Sequence, residues 1–221
     1  MRLVSEAEVT ETLQMRDAIA AMAAAFEQFG NGAGVISPRV RVAAEHRGAV
    51  AAVATLGAAL PASGVLGAKI HSTVAGQSNF IVVLFSAATG QPLATIQANV
   101  ITKFRAAAAT AVAMKKLARH DARTLAIFGA GTQARAHAEA LLLTHAFDRV
   151  LVSSRARAAD LADWISTALG VEAQAVDAAT AAAQGDVICT CTNAEQPLFE
   201  GALVKPGAFV AAIGSSRPQV R

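Results

Sequence analysis

The segment Thr124-Leu-Ala-Ile-Phe-Gly-Ala-Gly-Thr-Gln-Ala134 constrains this chain more than any other. A short apolar run of strand formers feeds directly into Gly129, Gly131 and Ala134, spaced G-x-G-x-x-A, and a helical pattern follows over residues 132–143. That succession is a strand, a tight turn and a helix N-terminus. Gly129 permits the turn, Gly131 lets the backbone approach a pyrophosphate, and Ala134 lets helix and strand pack closely. Thr132 and Gln133 open the helix, where free N–H groups and the positive end of the dipole favour phosphate. The motif implies a bound dinucleotide.

From residue 124 onward the pattern alternates. Strands are expected at 124–128, 149–153, 171–176, 186–190 and 208–213, with helices at 132–143, 158–169 and 178–183. Such alternation gives an α/β fold, a Rossmann-type doubly wound parallel sheet. The part before it reads differently. Ser5 can cap a short helix over 6–13, and a second helix covers 16–29 with Ile19, Met22, Ala23 and Phe26 on one face. Strands follow at 39–43, 49–55, 66–73, 79–86 and 92–98, with Ala88-Thr89-Gly90 as the last turn. A long Ala-rich helix then begins at Asn99 or Thr102 and ends near Arg119. The expectation is an α+β domain over 1–120 and a dinucleotide-binding domain over 121–221. A sheet of this kind with six strands would need one more beyond Arg221, so a further segment is expected.

Composition sets the limits. Of 221 residues 54% are hydrophobic and 16% charged, enough for one large core or two small ones. The net charge is only +3 with dispersed basic residues, no Tyr and one Trp, which argues against nucleic acid as a partner. No apolar stretch is long enough to span a bilayer, and the N-terminus has no signal-peptide core, so a cytoplasmic protein without a membrane partner is expected. Cys189 and Cys191 would share one strand face, too far apart for an unstrained bridge; they read as buried thiols, and no metal site is assigned.

The end of the second strand in the parallel set bears on cofactor choice. An acid there would accept from the ribose 2′-OH of NAD(H). This chain has Ser153-Ser154-Arg155-Ala156-Arg157 instead. Hydroxyls and guanidinium groups can hold a 2′-phosphate, so NADP(H) is expected over NAD(H), unless both arginines are simply a solvated helix start. Thr190, Cys191 and Thr192 at the fourth strand's exit, with Ile213 and Gly214 at the fifth, are further cofactor contacts by position.

Arg39, Lys69 and Arg105 stand out in apolar or small-residue settings. Burying a cation costs several kcal/mol unless it is paired. A substrate carboxylate would serve as the partner; the alternative is that all three reach the surface.

Ser37-Pro-Arg39, Leu66-Gly-Ala-Lys69, Thr89-Gly-Gln-Pro-Leu93, Asn99-Val-Ile-Thr-Lys-Phe-Arg105, Gly129-Ala-Gly-Thr-Gln-Ala134, Lys205-Pro-Gly207 and Ile213-Gly-Ser-Ser-Arg-Pro218 follow one another in this order. Together they make the chain resemble the ornithine cyclodeaminase/mu-crystallin family along essentially its whole length. The resemblance implies a dimerising α+β substrate domain joined to a Rossmann domain, and makes Arg39, Lys69 and Arg105 the substrate-carboxylate cluster, with Lys69 catalytic. Cyclodeaminases carry an Asp where this chain has Ser216, and many members have Thr where it has Ala106. Gly214-Ser-Ser-Arg-Pro218 looks more like mu-crystallin. The implied activity is NAD(P)H-dependent reduction of a cyclic imino acid of the Δ1-pyrroline-2-carboxylate or Δ1-piperideine-2-carboxylate type, by a cytoplasmic homodimer. The alternatives are ornithine cyclodeaminase, alanine dehydrogenase and a crystallin-like protein that binds NADPH or small ligands without turnover.

Overall fold

The computed structural model describes residues 1–213. The expected contact Gly214, with Ser216 and the rest of that motif, lies outside the described residues. The chain divides into two compact units, Met1–Thr102 and Lys103–Arg221, a boundary inside the Ala-rich helix rather than after residue 120.

The first unit is built on seven strands: β1 (Arg2–Val4), β2 (Val35–Ile36), β3 (Val40–His46), β4 (Ala49–Leu60), β5 (Val65–Val74), β6 (Gln77–Ser86) and β7 (Pro92–Gln97). They run in the order β1-β7-β6-β5-β4-β2, with β3 also paired to β4, and only the β1–β7 pair is parallel. Two hairpins fix the register. Arg47-Gly48 and Ala75-Gly76 each place two consecutive residues at positive φ, the turn whose twist matches that of the flanking strands.

Helices α1 (Glu6–Thr12) and α2 (Met15–Gly30) precede the sheet core in sequence. Ser5 caps α1 reciprocally with Glu8, as its spacing predicts. Glu6 then reaches across to accept from the backbone N–H groups of Asn99 and Val100, 3.0 and 2.7 Å away, at the start of α3 (Asn99–Leu117).

The second unit carries five parallel strands: β8 (Thr124–Phe128), β9 (Arg149–Ser153), β10 (Glu172–Ala175), β11 (Val187–Thr190) and β12 (Phe209–Ala212). Their order is β10-β9-β8-β11-β12, so the winding reverses between β8 and β11. Helices α4 (Thr132–Thr144), α5 (Ala158–Trp164) and α6 (Ala178–Gln184) make the connections, and α5 continues through one wide π turn over Ile165–Leu169. The central strands are buried on both faces, as their unbroken apolar sequences require.

Asp186 locks the entrance to this sheet. Its carboxylate accepts from the N–H groups of Arg123 and Thr124 at 2.9 Å each. It also takes the Lys205 ammonium at 2.9 Å and the Arg119 guanidinium at 3.4 Å. Burial pushes this carboxyl up, but the backbone donors and Lys205 outweigh it and hold it below the ordinary range. Lys205 also donates to the Gln184 carbonyl at 2.8 Å, which gives the Lys205-Pro-Gly207 motif a structural task.

Candidate functional site: a nucleotide groove and a cationic sheet face

A ligand groove in an open parallel sheet forms outside the strand C-termini where the winding reverses. Here a groove of about 880 Å³ lies at that point. One wall is Phe128, Gly129 and Gly131, after β8. The second is Ser153, Ser154, Arg155 and Arg157, after β9. The third runs from Cys191 to Leu198, after β11.

Gly129 has φ +104, and a Cβ there would lie 2.5 Å from the Cys191 carbonyl oxygen. Only glycine lets β8 and the exit of β11 approach this closely. At Gly131 a Cβ would meet no atom of the described residues within 4 Å; it would fill groove space instead. Gly131 is also the N-cap of α4, and no side chain among the described residues caps that helix. Its first N–H groups therefore remain available to an anion, so these residues fit a dinucleotide pyrophosphate.

The β9 wall is cationic. The Ser154 hydroxyl donates to the Ala156 carbonyl at 2.7 Å and folds the loop. Arg157 begins α5 at φ 61, a conformation uncommon for a side chain of its size. Arg155 and Arg157 line the groove, and Glu195 on the opposite wall is the one carboxylate among the described residues lining it. A second cavity of 470 Å³ adjoins, shares Gly131 and Arg157, and adds Thr132 and Lys103. The remaining expected contacts, Gln133, Ala134, Thr190 and Ile213, line neither cavity. Ala134 is fully buried, Gln133 has a buried Oε1 without a hydrogen-bond partner among the described residues, and the Thr190 carbonyl accepts the Ile213 N–H at 2.9 Å.

Cys191 lines the groove beside Thr192, and Cys189 is buried behind it. Their sulfurs are 3.7 Å apart and unbridged. The hydrogen bond from the Cys189 thiol and the nearby His137 imidazole hold the Cys191 thiol down to about 6, against the opposing effect of burial. The same contact and full burial push Cys189 up.

The expected basic residues are not buried as a group. Arg39 precedes β3 and is exposed, Arg105 is exposed on α3, and Lys69 is half-buried in β5. The burial penalty that singled them out in the sequence thus applies at most to Lys69. What surrounds Lys69 is more informative. Cross-strand register aligns Arg41, Ala54, His71 and Phe80 in one row, with Leu56, Lys69 and Val82 two residues along. Side chains two apart share a face, so Lys69, His71 and Arg41 point the same way. The Lys69 ammonium lies 5.3 Å from the Phe80 ring centre, and His71 stacks on the same ring at 5.1 Å. Burial, then the fields of Lys69, Arg39 and Arg41, push the His71 imidazole below its ordinary value, which favours its neutral form. His71 Nδ1 is buried with no hydrogen-bond partner among the described residues. Gly67 keeps this part of the sheet tight, because a Cβ there would lie 2.7 Å from the Val83 carbonyl oxygen.

Sequence reasoning missed Arg41 and His71. Both stand two residues beyond an expected site residue, in runs read as strands, so the period of two was the available signal. It also missed residues 193–198 of the groove wall, for which no local pattern exists.

Residues 1–221 match the ornithine cyclodeaminase/mu-crystallin family. A Δ1-pyrroline-2-carboxylate reductase of Bacillus cereus is 38% identical over 146 residues, 65% of this chain and 45% of that protein. The chain therefore spans less than half the length of that relative in the matched region. The crystal structure of a probable ornithine cyclodeaminase from Bordetella pertussis Tohama I is 39% identical, with a TM-score of 0.92 over 100% of this chain and 70% of that one. Thermococcus litoralis Δ1-pyrroline-2-carboxylate reductase, solved with NADH and L-proline, is 27% identical, with a TM-score of 0.87 over 97% and 69%. No helix among the described residues is long and apolar enough to cross a membrane.

Proposed function

The chain belongs to the ornithine cyclodeaminase/mu-crystallin family, and from that premise we propose that it reduces a cyclic imino acid with a nicotinamide dinucleotide. The observation that carries the reading is the cationic sheet face, where Arg39 and Arg41 flank Lys69 and a neutral-leaning His71. Such a face suits a small planar carboxylate better than a neutral or cationic substrate. Similarity to two Δ1-pyrroline-2-carboxylate reductases supports the same substrate class.

A reduced nicotinamide in the groove would supply the hydride for the C=N carbon. The protein's part is to hold and orient. Arg39 engages the carboxylate, and Arg105 has the same task by the family resemblance. Lys69, steadied over Phe80, adds a third donor and fixes the C=N carbon for attack. A neutral His71 leaves a cationic iminium unrepelled at that position, and protonated imine is the better electrophile. Fixing reactants in near-attack geometry supplies much of the rate. The product is a cyclic amino acid.

NADP(H) is the proposed physiological cofactor, because Arg155 and Arg157 line the β9 wall and no acid stands there. The Ser154→Asp variant should move the ratio of NADPH to NADH affinity toward NADH by about tenfold; an unchanged ratio refutes the assignment. The uncovered apolar residues Val40, Val42, Val53 and Ile81 support a homodimer through the first unit.

The deciding experiment follows NADPH absorbance in the presence of Δ1-pyrroline-2-carboxylate. Imine-dependent oxidation is expected; none, with NADPH still bound, overturns the reading. The likeness to the Bordetella pertussis protein favours a second reading, ornithine cyclodeaminase. That reading requires ammonia release from ornithine without added dinucleotide.

A further inference from the structure

Three soft or borderline ligand groups meet behind the groove wall. His137 comes from α4, and Cys189 and Cys191 from β11 and its exit. One nitrogen and the two sulfurs all lie within 4.8 Å of one another. The sulfurs are 3.7 Å apart. A tetrahedral ion about 2.3 Å from each of two thiolates holds them about 3.8 Å apart, so that edge is already formed. Bringing the imidazole into place requires side-chain movement on the order of 1 Å.

The contact with Gln133 sets the tautomer that the task requires. His137 Nδ1 lies 2.7 Å from the Gln133 carbonyl oxygen. A carbonyl can only accept, so in the neutral ring Nδ1 carries the proton and Nε2 keeps its lone pair. Metal-ligating imidazoles are held by this kind of outer contact. The Thr110 hydroxyl, 3.2 Å from Nε2, is also 3.2 Å from the Ala106 carbonyl oxygen and retains that partner if the ring turns away.

Charge and access agree. A divalent cation with two thiolates is neutral, which removes the main penalty for placing it among buried groups. Cys191 is partly exposed on the groove, so the ion can enter there and its fourth position opens there.

We propose that His137, Cys189 and Cys191 form a binding site for a thiophilic d¹⁰ cation of the zinc class. The sulfur ligands exclude magnesium and calcium as the intended ion.

The chain has two cysteines, so thiolate-to-metal charge transfer reports this cluster alone. The reduced, chelator-treated full chain is titrated with Cd²⁺ without dinucleotide, because Cys191 is shared with the groove. The expected result is a near-ultraviolet thiolate band that saturates at one ion per chain and is erased by excess Zn²⁺. His137→Gln should keep the band but weaken binding at least about tenfold. A band that does not saturate at one ion, no band, or an affinity indifferent to His137→Gln overturns the proposal. If circular dichroism shows His137→Gln to be unfolded, the partly exposed Cys191→Ser replaces it. Loss of tight Cd²⁺ binding supports the site, and unchanged affinity refutes it. No arm depends on imine reduction.

Discussion

All five residues of β8 are buried, whereas all seven of β3 are exposed. The first strand lies at the centre of a parallel sheet with neighbours on both sides; the second is at an edge of a mostly antiparallel one. A strand buried on both faces has no side chain to spare, so chemistry is confined to its ends. The groove accordingly gathers at the C-terminal ends of β8, β9 and β11. An edge region with open faces can sort residues by alternation instead. Arg41, Lys69 and His71 take one side, and Val40, Val42 and Val53 the other. One unit positions by backbone, the other by side-chain parity.

The comparison breaks most severely at Gly129. If backbone approach builds the groove, Gly129→Val should cost about 3 kcal/mol or more in stability, since both φ +104 and the Cys191 carbonyl oppose it. Dinucleotide affinity should fall by roughly a hundredfold or more. Thermal unfolding and dinucleotide titration measure the two, and an intact groove in this variant would contradict the account.

Asp186 tests the same unit from the opposite end of the sheet. Asp186→Asn removes the charge that Lys205 and Arg119 share, and should cost about 2 kcal/mol by denaturant unfolding. The sign with pH follows from the depressed carboxyl. Its contribution is full above the unfolded value of about 4 and is lost as pH falls through the lower folded value. The wild type should therefore lose more stability below about pH 4 than Asp186→Asn does; parallel acid curves would remove Asp186 from its role.

What could be read in advance divides along the same line. The strands of the parallel unit were legible to within a residue or two, because buried strands are continuous apolar runs. The glycines of the β8 turn were legible because their spacing is a backbone requirement. β1 and β2 were not. They have three and two residues, and exist only through partners far away in sequence, β7 and β4. The period of two puts His71 with Lys69 and Arg41 with Arg39, but bringing the two strands' residues into one row needed register, which no local pattern supplies until the hairpins fix it. His137 reaches Cys189 and Cys191 only through the packing of α4 near the end of β11, 52 residues on from His137 to Cys189 in sequence.

Lys69 sharpens the other side of the comparison. If side-chain parity builds the substrate face, Lys69→Ala should lower kcat about a hundredfold while dinucleotide affinity changes less than about twofold. Steady-state kinetics with Δ1-pyrroline-2-carboxylate and a separate dinucleotide titration give the two numbers. Equal losses in both would mean that the variant acts through the fold rather than at the substrate.

The smallest effect is the most specific to that face. His71 is held below its ordinary value by burial and by three cations, of which Lys69 acts most strongly. A depressed imidazole costs the fold nothing above its unfolded value of about 6.5, where it is neutral in both states, and it lowers stability progressively as pH falls from there through the folded value. In Lys69→Ala the repulsion from one cation is gone while Arg39, Arg41 and the burial remain. His71 should then titrate at higher pH than in the wild type, followed through its imidazole signals by NMR, with the other histidines unmoved. A His71 titration indifferent to Lys69 would mean that burial alone sets it, and that parity places the two side chains on one face without coupling them.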